Sequence, residues 1–142
     1  MIPKFRAWDE ENKRFLDEEE FIIISDGRVL VGDWMTGNDF SYGYDDPERF
    51  ILMQSTGLFD KNGKEIFEGD IVKRTYLFNG AYGETHTGEV VYDKEYARYV
   101  ISKPNKFIEP QIEDLRNVLS GKSTYEIIGS IYENKELLEA MK

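Results

Sequence analysis

The chain is predicted to be mainly β, with bent antiparallel sheets or an SH3-like, partly open barrel elaborated by two short helices. Turn chemistry supports this first. The runs Phe21-Ile22-Ile23-Ile24-Ser25 and Arg28-Val29-Leu30-Val31 flank Asp26-Gly27, and Leu58-Phe59 and Ile66-Phe67 flank Asp60-Lys61-Asn62-Gly63. Gly, and to a lesser degree Asn, accepts the positive φ that hairpin turns require. The second support is density. Phe50 to Tyr76, FILMQSTGLFDKNGKEIFEGDIVKRTY, sets three short strands in close succession, the second turn being Glu68-Gly69-Asp70. Helical spacing, in contrast, is confined to two stretches near the C-terminus.

In chain order, Lys4–Trp8 and Arg14–Leu16 bracket a polar loop, Asp9–Lys13, and form a first hairpin in which Trp8 is a core or cross-strand anchor. Asp17-Glu18-Glu19-Glu20 reads as a solvated connection. The Asp26-Gly27 hairpin follows, with a two-residue turn. Its isoleucine run is a strong edge-pairing segment that needs cover from the sheet, the rest of the chain or another subunit. Residues 32–49 then break the pattern. They hold Trp34, Phe40, Tyr42 and Tyr44 among glycines and acids, and eighteen residues is long for a structureless connection. Aromatics among glycines suit an adaptable contact surface, so these four are the candidate binding residues. The alternative is that Phe40, Tyr42 and Tyr44 alternate as a short strand with one face packed inward.

After the alternating run Ile71–Tyr76, the segment Leu77–Gly88, LFNGAYGETHTG, reads as a glycine-rich loop with the only histidine, His86. It lacks the following helix and the fixed spacings of a phosphate-binding loop. Glu89–Tyr92 and Tyr96–Ile101 make a hairpin across Asp93-Lys94-Glu95. Pro110 opens a predicted helix striped by Ile112, Leu115 and Leu119 and ended by Gly121. Tyr125–Tyr132 is a last strand, with Gly129 marking a bulge or a close backbone approach. Asn134 is placed to cap a short helix through Leu137 and Leu138.

Composition bounds function mainly by exclusion. The 142 residues, 40% hydrophobic, suit one domain spanning 1–142, with hairpins at 4–31, a connection at 32–49, a barrel-like region at 50–101, and a helix, strand and helix at 110–142. The absence of cysteine excludes disulfides, thiol catalysis and cysteine-ligated metal. No apolar run reaches the roughly 18 residues of a membrane span, so a soluble, intracellular protein is expected. The net charge of −10 repels a polyanion, and the largest basic grouping, Lys73-Arg74, sits beside Glu68 and Asp70. Asp60, Asn62 and Lys64 begin like a calcium loop, but glycine falls at its fourth position and Ile71 at its twelfth. The acids Asp33, Asp39, Asp45, Asp46 and Glu48 have no metal-ligand spacing. His86 has no identifiable nucleophile or orienting acid. No catalytic residue, metal site or cofactor is therefore expected, and the chain reads as no enzyme.

Three pieces carry a family resemblance: FRAWDEENKRF at Phe5–Phe15, TGLFDKNGKEIFEGDIV at Thr56–Val72 and YEIIGSIYENKELL at Tyr125–Leu138. In this order they resemble the YopX family of phage and prophage proteins. The resemblance implies a phage or prophage origin, residence in the cytoplasm of a bacterial host, and self-assembly into a homo-oligomer; it supplies no reaction and no site residues. The functional expectation is a non-enzymatic protein-interaction or assembly module that binds itself or a host or phage protein. The alternative is a nucleic-acid-binding small β-barrel, with Tyr76, Phe78 and Tyr82 stacking bases and Lys73, Arg74 and Arg98 meeting the backbone. A metal-dependent hydrolase built on Asp and Glu ranks last.

Overall fold

The computed structural model describes residues 2–33, 38–42, 48–78, 81–103, 111–115 and 123–139; within these, the side chains of 33, 38–42, 78, 81–82, 84 and 111–114 are not described. The described residues form antiparallel sheets throughout, with one curled half-barrel sheet and one short helix. Two compact units emerge, Ile2–Gln54 and Ser55–Lys142.

In the first unit, β1 (Phe5–Asp9) pairs with β2 (Arg14–Phe15) and with the first half of β6 (Phe50–Phe59). A three-stranded sheet runs in the order β3 (Phe21–Ile23), β4 (Val29–Asp33), β5 (Asn38–Tyr42). Ala7, Leu16, Val29 and Phe50 form the core, with Phe21, Val31 and Leu52 packed against it. Trp8 is the predicted cross-strand anchor: it stands opposite Phe15 in register and meets its ring edge-on at 4.9 Å. The turn after β3 is one residue longer than predicted. Gly27 N–H donates to the Ile24 carbonyl and Ile24 N–H to that of Arg28, enclosing Ser25-Asp26-Gly27, with Gly27 at φ 90° supplying the left-handed residue that a three-residue hairpin loop needs.

Residues 55–59 of β6 belong to the second unit and pair with β7 (Glu65–Phe67) around a bulge. Gly57 there has φ 75°, and the Thr56 hydroxyl donates to the Ile66 carbonyl (2.8 Å) while accepting the Leu58 N–H. The five-stranded sheet has the order β11 (Gln111–Asp114), β10 (Arg98–Lys103), β9 (Ala81–Asp93), β8 (Asp70–Phe78), β12 (Ser123–Ser130). One of its faces buries Val72, Val90, Ile101 and Tyr125 with Ile66 and Leu115.

Two sequence expectations fail here. Leu77–Gly88 is no loop: β8 and β9 form one long hairpin whose register pairs Thr75 with Thr85, Arg74 with His86 and Val72 with Gly88. Gly83 and Gly88 serve close packing, since a Cβ on Gly83 would press on the Tyr76 carbonyl and one on Gly88 would meet Ile101 and the Ser102 carbonyl. The helix predicted from Pro110 is not formed where the chain is described: Gln111–Asp114 is β11, paired along β10 from Lys103 to Val100, while Pro110, Leu119 and Gly121 lie outside the described residues. Three apolar residues at helical spacing are outweighed by a strand edge offering backbone partners, and Leu115 is in the core on these terms. The single helix, α1 (Glu136–Glu139), matches the second prediction. Asn134, however, does not cap it with its side chain, whose oxygen accepts the Ser130 N–H (3.3 Å) instead.

Candidate functional site

The residues predicted to bind lie around β5. Trp34 and Tyr44 fall outside the described residues. Phe40 and Tyr42 are placed by backbone alone: they sit in β5, which pairs with β4 through Val31↔Tyr42 and Asp33↔Asn38 across an irregularity. Residues 38–42 are thus a strand and not part of a connection, as the alternation of Phe40 and Tyr42 allowed. Tyr42 is the cross-strand partner of Val31, which packs against the core of its unit. Within its sheet β5 is terminal, with β4 on one side and no strand on the other among the described residues. A terminal strand leaves a row of backbone N–H and C=O groups able to take an added strand.

The residues of the nucleic-acid reading do not converge on a basic surface. Arg74 is buried at 5% exposure, bonded to the Ser123 hydroxyl (3.0 Å) and stacked on Tyr76 at 4.0 Å. Tyr76 also meets His86 edge-on. Arg98 is ion-paired with Asp93, and Lys73 is the exposed member of the three. Phe78 and Tyr82 have no described side chains. Arg74 thus belongs to the packed interior of the sheet, where a flat guanidinium fills space between rings that a phosphate does not reach.

The buried carboxylates have a common use. Asp60, 7% exposed, accepts the N–H groups of Asn62 and Lys64 through one oxygen and of Ile127 through the other, while Lys61 N–H donates to the Tyr125 carbonyl. The turn that looked like a calcium loop is in fact bound to β12. Burial raises the Asp60 pKa, but the N–H groups of Ile127, Lys64 and Asn62 outweigh it and hold the carboxyl below its ordinary value. Asp70, 2% exposed, accepts the Phe67 N–H across a turn in which Gly69 has φ 82°. In the first unit Asp9, also 2% exposed, receives Arg49 in bidentate fashion (3.0 and 3.1 Å) together with the Asn12 amide and the N–H groups of Glu11 and Asn12. Burial again pushes upward, and these donors bring the carboxyl down to about 2. Among the described residues no group of three His, Cys, Asp or Glu side chains is placed to hold a metal ion, and no helix is long and apolar enough to cross a membrane.

Sequence reasoning saw these turns but missed what their acids do. Asp60 and Asp70 each stand at the start or end of a glycine turn, and Asp9 opens a polar loop, which is the available signal.

Comparison with known families decides the lineage. The model of the family described as YopX protein matches residues 4–139. The chain belongs to the YopX family. Its fold resembles that of the crystal structure of protein EF1440 from Enterococcus faecalis, at 31% identity and a TM-score of 0.57, covering 97% of this chain and 99% of that one. It also resembles protein yopX from Bacillus subtilis, at 22% identity and a TM-score of 0.56, covering 94% and 96%. No curated protein matches the chain significantly. For this YopX-family chain the three sequence pieces are now located: β1–β2, the second half of β6 through the start of β8, and β12 with α1. Each contains one of the turns or caps that fix the fold.

Proposed function

We propose that this chain is a phage- or prophage-encoded, non-enzymatic protein of the bacterial cytoplasm that self-assembles and binds a host or phage protein through the segment around Trp34, Phe40, Tyr42 and Tyr44. The observation that carries the reading is the position of β5: a strand that carries Phe40 and Tyr42 in its sequence and ends its sheet among the described residues offers a partner backbone pairing. Asp9 and Asp60, held low by turn hydrogen bonds, are themselves poor general acids or bases near neutral pH.

The test is affinity capture from lysogenic host cells with the tagged chain and with a variant carrying Trp34→Ala, Phe40→Ala, Tyr42→Ala and Tyr44→Ala. A stoichiometric partner held by the parent and lost from a still-folded variant is expected. Retention of that partner would remove the site assignment, and recovery of the chain alone from both would leave self-assembly as the role.

A further inference from the structure

One register row crosses four strands of the five-stranded sheet: Gly129 of β12, Ile71 of β8, Glu89 of β9 and Ser102 of β10 stand side by side. Cross-strand partners share a face, here the one opposite the Val72–Val90–Ile101 core. The row begins with glycine for a reason visible in space: a Cβ on Gly129 would collide with the Asn134 side chain. The chain after β12 therefore turns back over this face. It is fastened by Ile131 N–H to the Gly69 carbonyl (2.9 Å) and by Asn134 N–H to the Ser130 carbonyl (2.8 Å), and it continues into α1, which packs against β9. Leu137 and Leu138 of α1 are half-buried, Ile71 is fully buried, and next to Ile71 stands a carboxyl, half-buried Glu89.

We propose that Glu89 is a protonation-controlled latch for the C-terminal segment 131–139: its neutral form accepts the docked helix, and its ionised form, which requires water, lifts α1 from β9. Among the described residues, the charged groups on this face and in the returning segment are Lys73 on β8, Asp93 on β9, Arg98 on β10 and Glu126 on β12, with Glu133, Lys135, Glu136 and Glu139 beyond β12. Burial is what raises the Glu89 pKa above its ordinary 4.5. A group whose pKa is raised by docking binds its proton more tightly in the docked state. Docking is accordingly strongest in acid and weakens as pH rises through the docked-state pKa.

The test follows the Leu137 and Leu138 methyl resonances and the Glu89 side-chain carboxyl by NMR from acid to mildly alkaline pH. In the parent chain the methyls are expected to move toward random-coil positions with the midpoint of the Glu89 carboxyl, and in Glu89→Gln to stay put across the range. An equal pH response in Glu89→Gln, or none in the parent while Glu89 titrates, would overturn the latch. A second variant reads the linkage in reverse. In Leu137→Ala/Leu138→Ala, which loosens α1 and leaves the sheet intact, the Glu89 pKa should fall toward 4.5; an unchanged value would equally refute the proposal.

Discussion

Asp9 and Asp60 hold turns in the two units by the same chemistry but with different donors. Each is a carboxylate removed from water whose oxygens are met by backbone N–H groups of the following residues. Asp9 adds a cation, Arg49, which also pairs with Glu11. Asp60 adds instead the N–H of Ile127, sixty-seven residues away on β12. The difference teaches how a buried charge is stabilised in each place. At Asp9 it is shared with a side chain that can be exchanged, whereas at Asp60 every hydrogen bond comes from backbone N–H groups, with the Lys64 charge a lesser aid, so that loss of the carboxylate also detaches a turn from a strand.

Substitutions can break that comparison in graded fashion. Asp60→Ala removes the acceptor of three N–H groups at once and is expected to cost about 3 kcal/mol in urea unfolding, the largest effect among these variants. Asp9→Asn should cost about 2 kcal/mol at neutral pH, since the depressed carboxyl stabilises the folded state by its shift from 3.8 to about 2. The sign follows from the depression: the contribution is fully present above pH 3.8 and is lost as pH falls toward 2, so the Asp9→Asn and parent stabilities should converge in strong acid. Arg49→Met leaves Asp9 its backbone and Asn12 donors and should cost less, about 1 kcal/mol. Gly69→Ala, at φ 82°, is expected to cost about 1 kcal/mol as well through backbone strain, measured as a lowered thermal midpoint.

Much of this fold was legible because the chain marks its turns. Gly27, Gly63 and Gly69 all have positive φ, and the strand ends at these turns were located to within a residue or two, although Phe50–Met53 and Leu58-Phe59 prove to be parts of one long strand, β6. Gly129 was read as a bulge or a close approach and is both. The failures have one physical cause: glycine and helical spacing are local signals, and pairing partners are not. Gly83 and Gly88 in LFNGAYGETHTG mark close packing against β8 and β10 where they suggested a loop, and Ile112 and Leu115 belong to a strand and its exit because β10 had an edge to offer. The site was legible less fully. Alternation at Phe40 and Tyr42 foretold β5, but nothing in sequence showed that Arg74 would be buried against Tyr76 and Tyr125, or that Asp60 would be tied to a strand near the C-terminus.

The central claim is that the buried aspartates serve as turn anchors and are unsuited to proton transfer near neutrality, one leaning on a bidentate cation and the other mainly on backbone N–H groups. Titration of the Asp9 and Asp60 carboxyl carbons by NMR, in the parent and in Arg49→Met, addresses it directly. Asp9 is predicted at about 2 in the parent and higher in Arg49→Met, with Asp60 below 3.8 and equal in both. A carboxyl titrating near neutral pH in the parent, or an Asp9 value indifferent to Arg49, would contradict the account.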